Sequence, residues 1–199
     1  MYMSKIRCDM HNKYVKKSED NEAYTHKNIQ TLFKGNRESE NVLYVKEMVG
    51  DVLYYKVQSD VPPVISDKTQ GLEIVSITDL DDYSFLKDFN YVNFVIVASP
   101  SRWIFDAEKQ KRARRGLEHK DERINWMIRK LSDGGVSVGD IREYKLDSTV
   151  FYHGEDKGEI FGYEYTGNFI VDDWNEFIKM VNKGIGPGKA YGMGMFILS

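Results

Sequence analysis

Along the first residues, Tyr2, Ser4, Ile6, Cys8 and Met10 alternate with Met3, Lys5, Arg7 and Asp9. That period of two predicts a β-strand with one face on a core. Lys13 to Asn21 is polar without an apolar period and reads as a loop, whereas Tyr24, Ile29, Leu32 and Phe33 can gather on one face of a helix near 22–34, ended around Gly35. Val42–Glu47 and Val52–Gln58 are β-branched and aromatic runs on either side of Met48-Val49-Gly50-Asp51, an antiparallel pair around a Gly-Asp turn. Val61-Pro62-Pro63 stops the strand, because proline has no amide to donate, and a strand resumes over Leu72–Ile77. The first 80 residues therefore read β-α-β-β-link-β, and the acidic stretch that follows, 81–89, is the expected linker.

The same order then repeats over 90–199. Tyr91–Ala98 is a nearly continuous apolar strand broken by Ser99-Pro100, and Ile124, Met127, Ile128 and Leu131 sit at helical spacing before Gly134-Gly135. Val136–Tyr144 and Glu159–Val171 read as strands, Asp172 or Asp173 can cap a helix carrying Trp174, Phe177, Ile178 and Val181, and Met193–Leu198 closes as a strand. Two successive copies predict an α+β chain of two tandem ferredoxin-like domains, βαββαβ in pattern, as in RRM domains. Their expected limits are 1–80 and 90–199.

Composition narrows the class. With 41% hydrophobic and 30% charged residues in 199, the chain can bury a core, and its longest apolar stretches fall well short of a membrane span. The N-terminus lacks the pattern of a signal peptide, so the expected location is the cytoplasm. Cys8 is the sole cysteine, which excludes an internal disulfide and a multi-thiolate zinc site. A net charge of −3 argues against a uniformly basic nucleic-acid binder and leaves the distribution of charge as the question.

That distribution is uneven. Lys109, Lys111, Arg112, Arg114 and Arg115, flanked by Arg102 and Lys120, form a basic stretch expected on a loop, which suits a phosphate backbone or is simply a solvated face. Gly184-Ile185-Gly186-Pro187-Gly188-Lys189-Ala190-Tyr191-Gly192-Met193-Gly194 follows a helix and leads into a strand. Glycines let backbone amides approach phosphate, and Lys189 adds a charge; the order is the reverse of a Rossmann entry and no Gly-Lys-Ser/Thr opens a helix. The bland alternative is a plain glycine-rich turn. Asp79, Asp81 and Asp82 cluster without companion histidines or a calcium-loop pattern, so no metal site and no cofactor is expected. His26 is one of four histidines and by itself reads as a solvated surface residue more readily than as a catalytic one.

The glycine run, with its Gly-Met-Gly and apolar terminal strand, resembles the hallmark of the CRISPR repeat endoribonucleases, specifically the CasE family of the type I-E Cascade complex. The Met1-Tyr2-Met3-Ser4-Lys5 start, the Tyr24/His26 region before Leu32-Phe33, and Ile124–Leu131 around Trp126 occur in the family's order. The resemblance implies a metal-independent endoribonuclease that cuts precursor transcripts at the base of the repeat hairpin through the 2′-OH and stays bound to its product with other Cascade subunits. It places the catalytic histidine at His26, at the start of the first helix, and makes Tyr24 its companion, although the family's tyrosine position is Ala23 here. Lys27 or Lys189 would steady the phosphorane. It assigns RNA contacts to Arg102, Lys109, Lys111, Arg112, Arg114 and Arg115, to Gly184, Gly186, Gly188 and Lys189, and to a hairpin over Phe151–Gly158 with His153 and Lys157. The family's Arg-rich strand ending in Asn-Pro is Val95–Pro100 here, without the arginines. Two rival readings are a catalytically inactive module that binds hairpin RNA and a small-molecule enzyme on the same scaffold.

Overall fold

The computed structural model describes residues 1–80, 83–107, 110–153 and 156–199. Its first unit contains β1 (Tyr2–Cys8), α1 (Lys13–Asp20), α2 (Glu22–Gln30), β2 (Leu43–Val49), β3 (Val52–Ser59) and β4 (Leu72–Asp79). The strands pair antiparallel in the order β2-β3-β1-β4. Ser4, Ile6 and Cys8 of β1 and Leu53, Tyr55 and Val57 of β3 are buried on one face, as the alternation demands. The other face is polar, with Glu47 taking Lys56 at 2.7 Å and Lys5 at 3.8 Å.

Two expectations for this unit change. Residues 13–20 are helix, not loop: Asn12 Oδ1 caps the first turn by accepting from the Tyr14 amide at 2.8 Å, and Val15 fills the core almost alone. The next helix ends at Gln30, earlier than 34, and the β2–β3 turn needs only Gly50 and Asp51 because Val49 pairs with Val52. No helix follows β3; residues 60–71 run as an irregular link.

The second unit contains β5 (Val92–Ala98), β6 (Ser101–Asp106), β7 (Lys111–Gly116), α3 (Lys120–Ser132), β8 (Val136–Lys145), β9 (Thr149–His153), β10 (Asp156–Ile160), β11 (Tyr163–Val171), α4 (Trp174–Lys183) and β12 (Phe196–Leu198). Its main sheet runs β12-β5-β11-β8, the same split βαβ order as the first unit. Phe169 sits at the centre of the core, 5.4 Å from the Phe94 ring and 5.6 Å from Phe177. Asp173 caps α4 by accepting from the amides of Asn175 (2.9 Å) and Glu176 (3.2 Å).

Two hairpins are inserted into this frame, and both alter the expected picture. The basic stretch is the β6–β7 hairpin, not a loop; its pattern hid the strands because Trp103 and Phe105 face solvent rather than a core. Glu159–Val171 is two strands broken at Phe161-Gly162, since β10 pairs back on β9 while β11 enters the main sheet. In the expected linker, Tyr83 and Leu86 are buried in the second core. Asp81, Asp82 and Lys109 lie outside the described residues.

The units are joined by buried hydrogen bonds. The Gln58 amide nitrogen at the end of β3 donates to the carbonyls of Val181 (3.1 Å) and Asn182 (3.3 Å), and the Tyr83 hydroxyl donates to Gln58 Oε1 at 3.2 Å. A buried amide left without these partners would cost about 1–3 kcal/mol, so the joint fixes how α4, and the loop after it, meets the first sheet.

Candidate functional site

The glycine run leaves α4 at Gly184, whose φ of 69° is left-handed. A Cβ there would lie 2.5 Å from the Gly194 carbonyl, so only glycine lets the two ends of the loop close. The Ile185 amide donates to Gly194 O at 3.0 Å and the Gly194 amide to Val97 O at 2.7 Å, pinning the loop to β5. Gly186 crosses the Trp126 ring, where a Cβ would meet the indole at 3.0 Å. The amides of Gly186 and Gly188 donate to no backbone oxygen among the described residues.

The far side of the loop packs on the first unit. The Tyr44 hydroxyl of β2 lies 2.9 Å from both the Ala190 carbonyl and Glu22 Oε1, and Lys46 bonds the other Glu22 oxygen. Burial, followed by the Glu22 charge, pushes the Tyr44 hydroxyl well above its ordinary range, so it stays a donor. Glu22 opens α2, the helix that carries His26 one turn later. Asn21 Oδ1 caps that helix through the Ala23 amide at 3.0 Å and also accepts from the Tyr152 amide of β9 at 3.1 Å. Phe151 of β9 stacks on Tyr191 of the loop, with centroids 4.3 Å apart and planes at 14°. Helix α2, the glycine loop and the β9–β10 hairpin therefore converge on one place.

His26 is the fifth of the nine α2 residues, not at the start of the first helix, and is half-buried. Burial, then the charges of Arg37 and Lys27, holds its imidazole below the ordinary 6.5, so it is neutral near pH 7. Tyr24 is placed differently. Its ring meets Tyr14 of α1 edge-on at 5.6 Å, with Lys17 and Lys27 nitrogens 5.7 and 5.8 Å from its centroid. The helix is regular and capped from Glu22, so Tyr24 and His26, two residues apart, point in different directions, and no frayed turn brings them together.

Lys189 is half-buried and lowered to about 8, first by burial and then by the neighbouring charges of Arg37, Lys183 and Arg114. Arg37, between α2 and β2, is absent from every sequence-level signal: it sits in a polar stretch without period or motif. Lys189 and Gly186 line a groove of about 1090 Å³ together with Arg102, Trp103 and Arg114 of the basic hairpin. Arg129 and Lys130 of α3 and Lys179 and Lys183 of α4 also line it, so seven cations face it against Asp133 and Glu176. Arg114 lies over the Trp103 ring at 4.9 Å, and Trp103 is 60% exposed. Lys111, Arg112 and Arg115 are exposed on β7, and Lys157 is exposed on β10 opposite Tyr152. Of the seven groove cations, the sequence marks Arg102, Arg114 and Lys189, and their convergence with those of α3 and α4 leaves no local pattern. Among the described residues, no group of three or more His, Cys, Asp or Glu could hold a metal ion.

A family model described as CRISPR associated protein matches residues 1–199. The chain belongs to that family. Kinship with the CasE proteins, read from the glycine run, holds: the Escherichia coli K12 protein named CRISPR system Cascade subunit CasE is 30% identical over 114 residues, 53% of this chain and 56% of that protein. The chain thus aligns with little more than half the length of that relative. The crystal structure of the CRISPR-associated protein Cas6e from E. coli K-12 superposes with a TM-score of 0.76 at 22% identity, covering 100% of this chain and 99% of that one. Thermus thermophilus Cse3, bound to an RNA representing a pre-cleavage complex, gives 0.76 at 18% identity over 100% and 98%. These likenesses bear out the tandem ferredoxin-like fold of this CRISPR-associated protein. No helix among its described residues is long and apolar enough to cross a membrane.

Proposed function

We propose that this CRISPR-associated protein is an endoribonuclease that cuts CRISPR precursor RNA at the base of the repeat hairpin, by attack of a 2′-OH on the adjacent phosphorus, without a metal ion. The observation that carries this reading is the packing of α2, which bears a neutral half-buried His26, against the glycine loop, whose Lys189 lines a cation-rich groove. Site walls of arginine and lysine attract phosphate and repel a divalent ion.

Neutral His26 takes the proton of the 2′-OH as its oxygen attacks phosphorus. The bond to the 5′ oxygen then breaks, and the Lys189 ammonium, lowered to about 8 yet protonated at neutral pH, gives that oxygen its proton. The products are a 2′,3′-cyclic phosphate and a 5′-OH; histidinium and amine exchange their protons with water. Tyr24 serves by packing on Tyr14, which holds α2 against α1. The hairpin stem lies along the groove and the basic β6–β7 hairpin, with Arg102, Lys111, Arg112, Arg114 and Arg115 on phosphates and Lys109 continuing that stretch in sequence. The amides of Gly186 and Gly188 approach the backbone at the cut, Gly184 lets the loop close, and Lys157 of the β9–β10 hairpin contacts the base of the stem. Recognition by shape and phosphate suits A-form RNA, whose deep groove hides its base edges.

The ranges 1–80 and 90–199 are the natural division of labour, in keeping with two core clusters, the second of which also takes in Tyr83 and Leu86 from the segment 81–89. Kinship with CasE makes other Cascade subunits the partners that hold the product, and the cytoplasm its place of work. The test is an end-labelled repeat hairpin in excess EDTA, beside the same RNA with one 2′-deoxy substitution at the cut. Cleavage of the first alone supports the reading. Tight binding without cleavage of either would turn the protein into an RNA-holding module.

A further inference from the structure

Residues 35–41 cross from α2 to β2 as a fixed turn. Asn36 Oδ1 accepts from the amides of Glu38 (3.0 Å) and Ser39 (2.9 Å), the Val42 amide donates to the Arg37 carbonyl at 2.9 Å, and the Gly35 amide donates to Glu40 Oε1 at 2.8 Å. The turn is tied to the helix of His26 by Gln30, whose side-chain nitrogen donates to the Gly35 carbonyl at 2.6 Å. Gln30 follows His26 by four residues and shares its helix face. The backbone at Arg37 is thus set by its neighbours.

That side chain is only 21% exposed, yet its partner among the described residues is the adjacent Glu38, at 3.3 Å and 86% exposed. A pair so exposed on one side contributes little. A guanidinium offers five donors in a planar fork and keeps its charge at any working pH, so most of this one's donors face no protein acceptor among the described residues. Its place follows from the fold: the turn is held to the His26 face of α2 through Gln30, and Lys189–Tyr191 of the glycine loop packs on the same helix. In keeping with that, Arg37 leads the charges that lower both the His26 imidazole and the Lys189 ammonium.

We propose that Arg37 is a catalytic residue, whose guanidinium grips the non-bridging oxygens of the scissile phosphate and balances the charge gained as the phosphorane forms. The assignment rests on the nuclease reading above. It answers a need that Lys189 cannot meet: a lysine that surrenders its proton to the leaving oxygen ceases to be a counter-charge at that moment, whereas an arginine remains one. The fork also matches two phosphate oxygens at once, which fixes the phosphorus for in-line attack.

The experiment is single-turnover cleavage of the repeat hairpin at saturating protein, by wild type, His26→Ala, Arg37→Ala, Arg37→Gln and Arg37→Lys. The scissile phosphate is supplied as oxygen or as either phosphorothioate diastereomer. Loss of one such donor slows reactions about 10²- to 10³-fold, the fall expected for Arg37→Ala and Arg37→Gln, with Kd changed less than about fivefold because one phosphate contact among many is lost. Arg37→Lys recovers part of the rate. Wild type prefers one diastereomer, and Arg37→Gln loses that preference, a change that a merely structural role would not produce. Cleavage by Arg37→Gln within about threefold of wild type, or an unchanged diastereomer preference, overturns the assignment while His26→Ala remains slow. A wild type that leaves the hairpin intact, or a His26→Ala variant that cuts normally, instead sinks the nuclease reading on which the assignment stands.

Discussion

In the first unit, residues 60–71 run without helix where the second unit places α4, and in the second unit two hairpins are inserted that the first never acquires. Both sheets keep the 4-1-3-2 arrangement of strands. What differs is where each unit spends its polar residues. The first keeps a half-buried histidine and a buried Glu22–Tyr44 pair edged by the exposed Lys46, while the second exposes Trp103, Phe105 and a row of arginines. Under the proposed function, one topology is put to two uses: placing a proton carrier, which needs a shielded setting, and gripping a polyanion, which needs an open one.

Four experiments would break or sharpen that contrast. The largest effect is expected from His26→Ala, which removes the proton carrier: general acid–base catalysis contributes about 10²- to 10⁴-fold, and single-turnover cleavage should fall by that order. Hairpin affinity, measured by filter binding, should hold within about threefold, because the second unit supplies it. Next comes Lys189→Arg, for which we expect a rate loss of about 10²-fold and a change in the pH profile. Wild-type cleavage should fall on the acid side as His26, held below 6.5, becomes protonated, and on the alkaline side above about 8 as Lys189 loses its proton. The variant should lose the alkaline limb and be rescued by a 5′-thio leaving group, which departs without a proton.

Arg112→Ala with Arg114→Ala tests the other side of the contrast. Removing about two phosphate contacts should lower the slope of log Kd against log salt by roughly 1.5 to 2, while RNA driven on to the protein at saturation should be cut at the normal rate. The smallest change is expected from Tyr44→Phe, which deprives Glu22 and the Ala190 carbonyl of a donor. Thermal unfolding should report a loss of about 1–3 kcal/mol, and cleavage should slow several-fold as the loop shifts from α2. A full loss of binding in this variant would mean that the two units are not separable in function.

How much of this was legible depended on whether a residue's duty leaves a local pattern. The glycine run was readable because left-handed backbone at Gly184 and Gly186 demands glycine whatever surrounds it. The two sheets were readable because β1, β3 and β11 each bury one face. Helix α1 was not, since it rests on Val15 and on Ser18, whose hydroxyl bonds back to the Val15 carbonyl, and shows no apolar stripe. The β6–β7 strands were hidden for the opposite reason, with their large aromatics turned to solvent. Arg37 had no signature at all, because its significance comes from two segments that only folding brings beside it.

Tyr44 and the Ala190 carbonyl that it reaches lie 146 residues apart in the chain. At synthesis rates of about 5–20 residues per second, the stretch bearing Lys189 leaves the ribosome roughly 7 to 30 s after the strand on which it must settle. For that interval a nascent chain can carry a folded helix with His26 but not the loop that completes the site. Under the proposed function, translation order thus acts as a safety catch: RNA near the growing polypeptide meets a nuclease only when the second unit, and with it the surface proposed to select the hairpin, is in place.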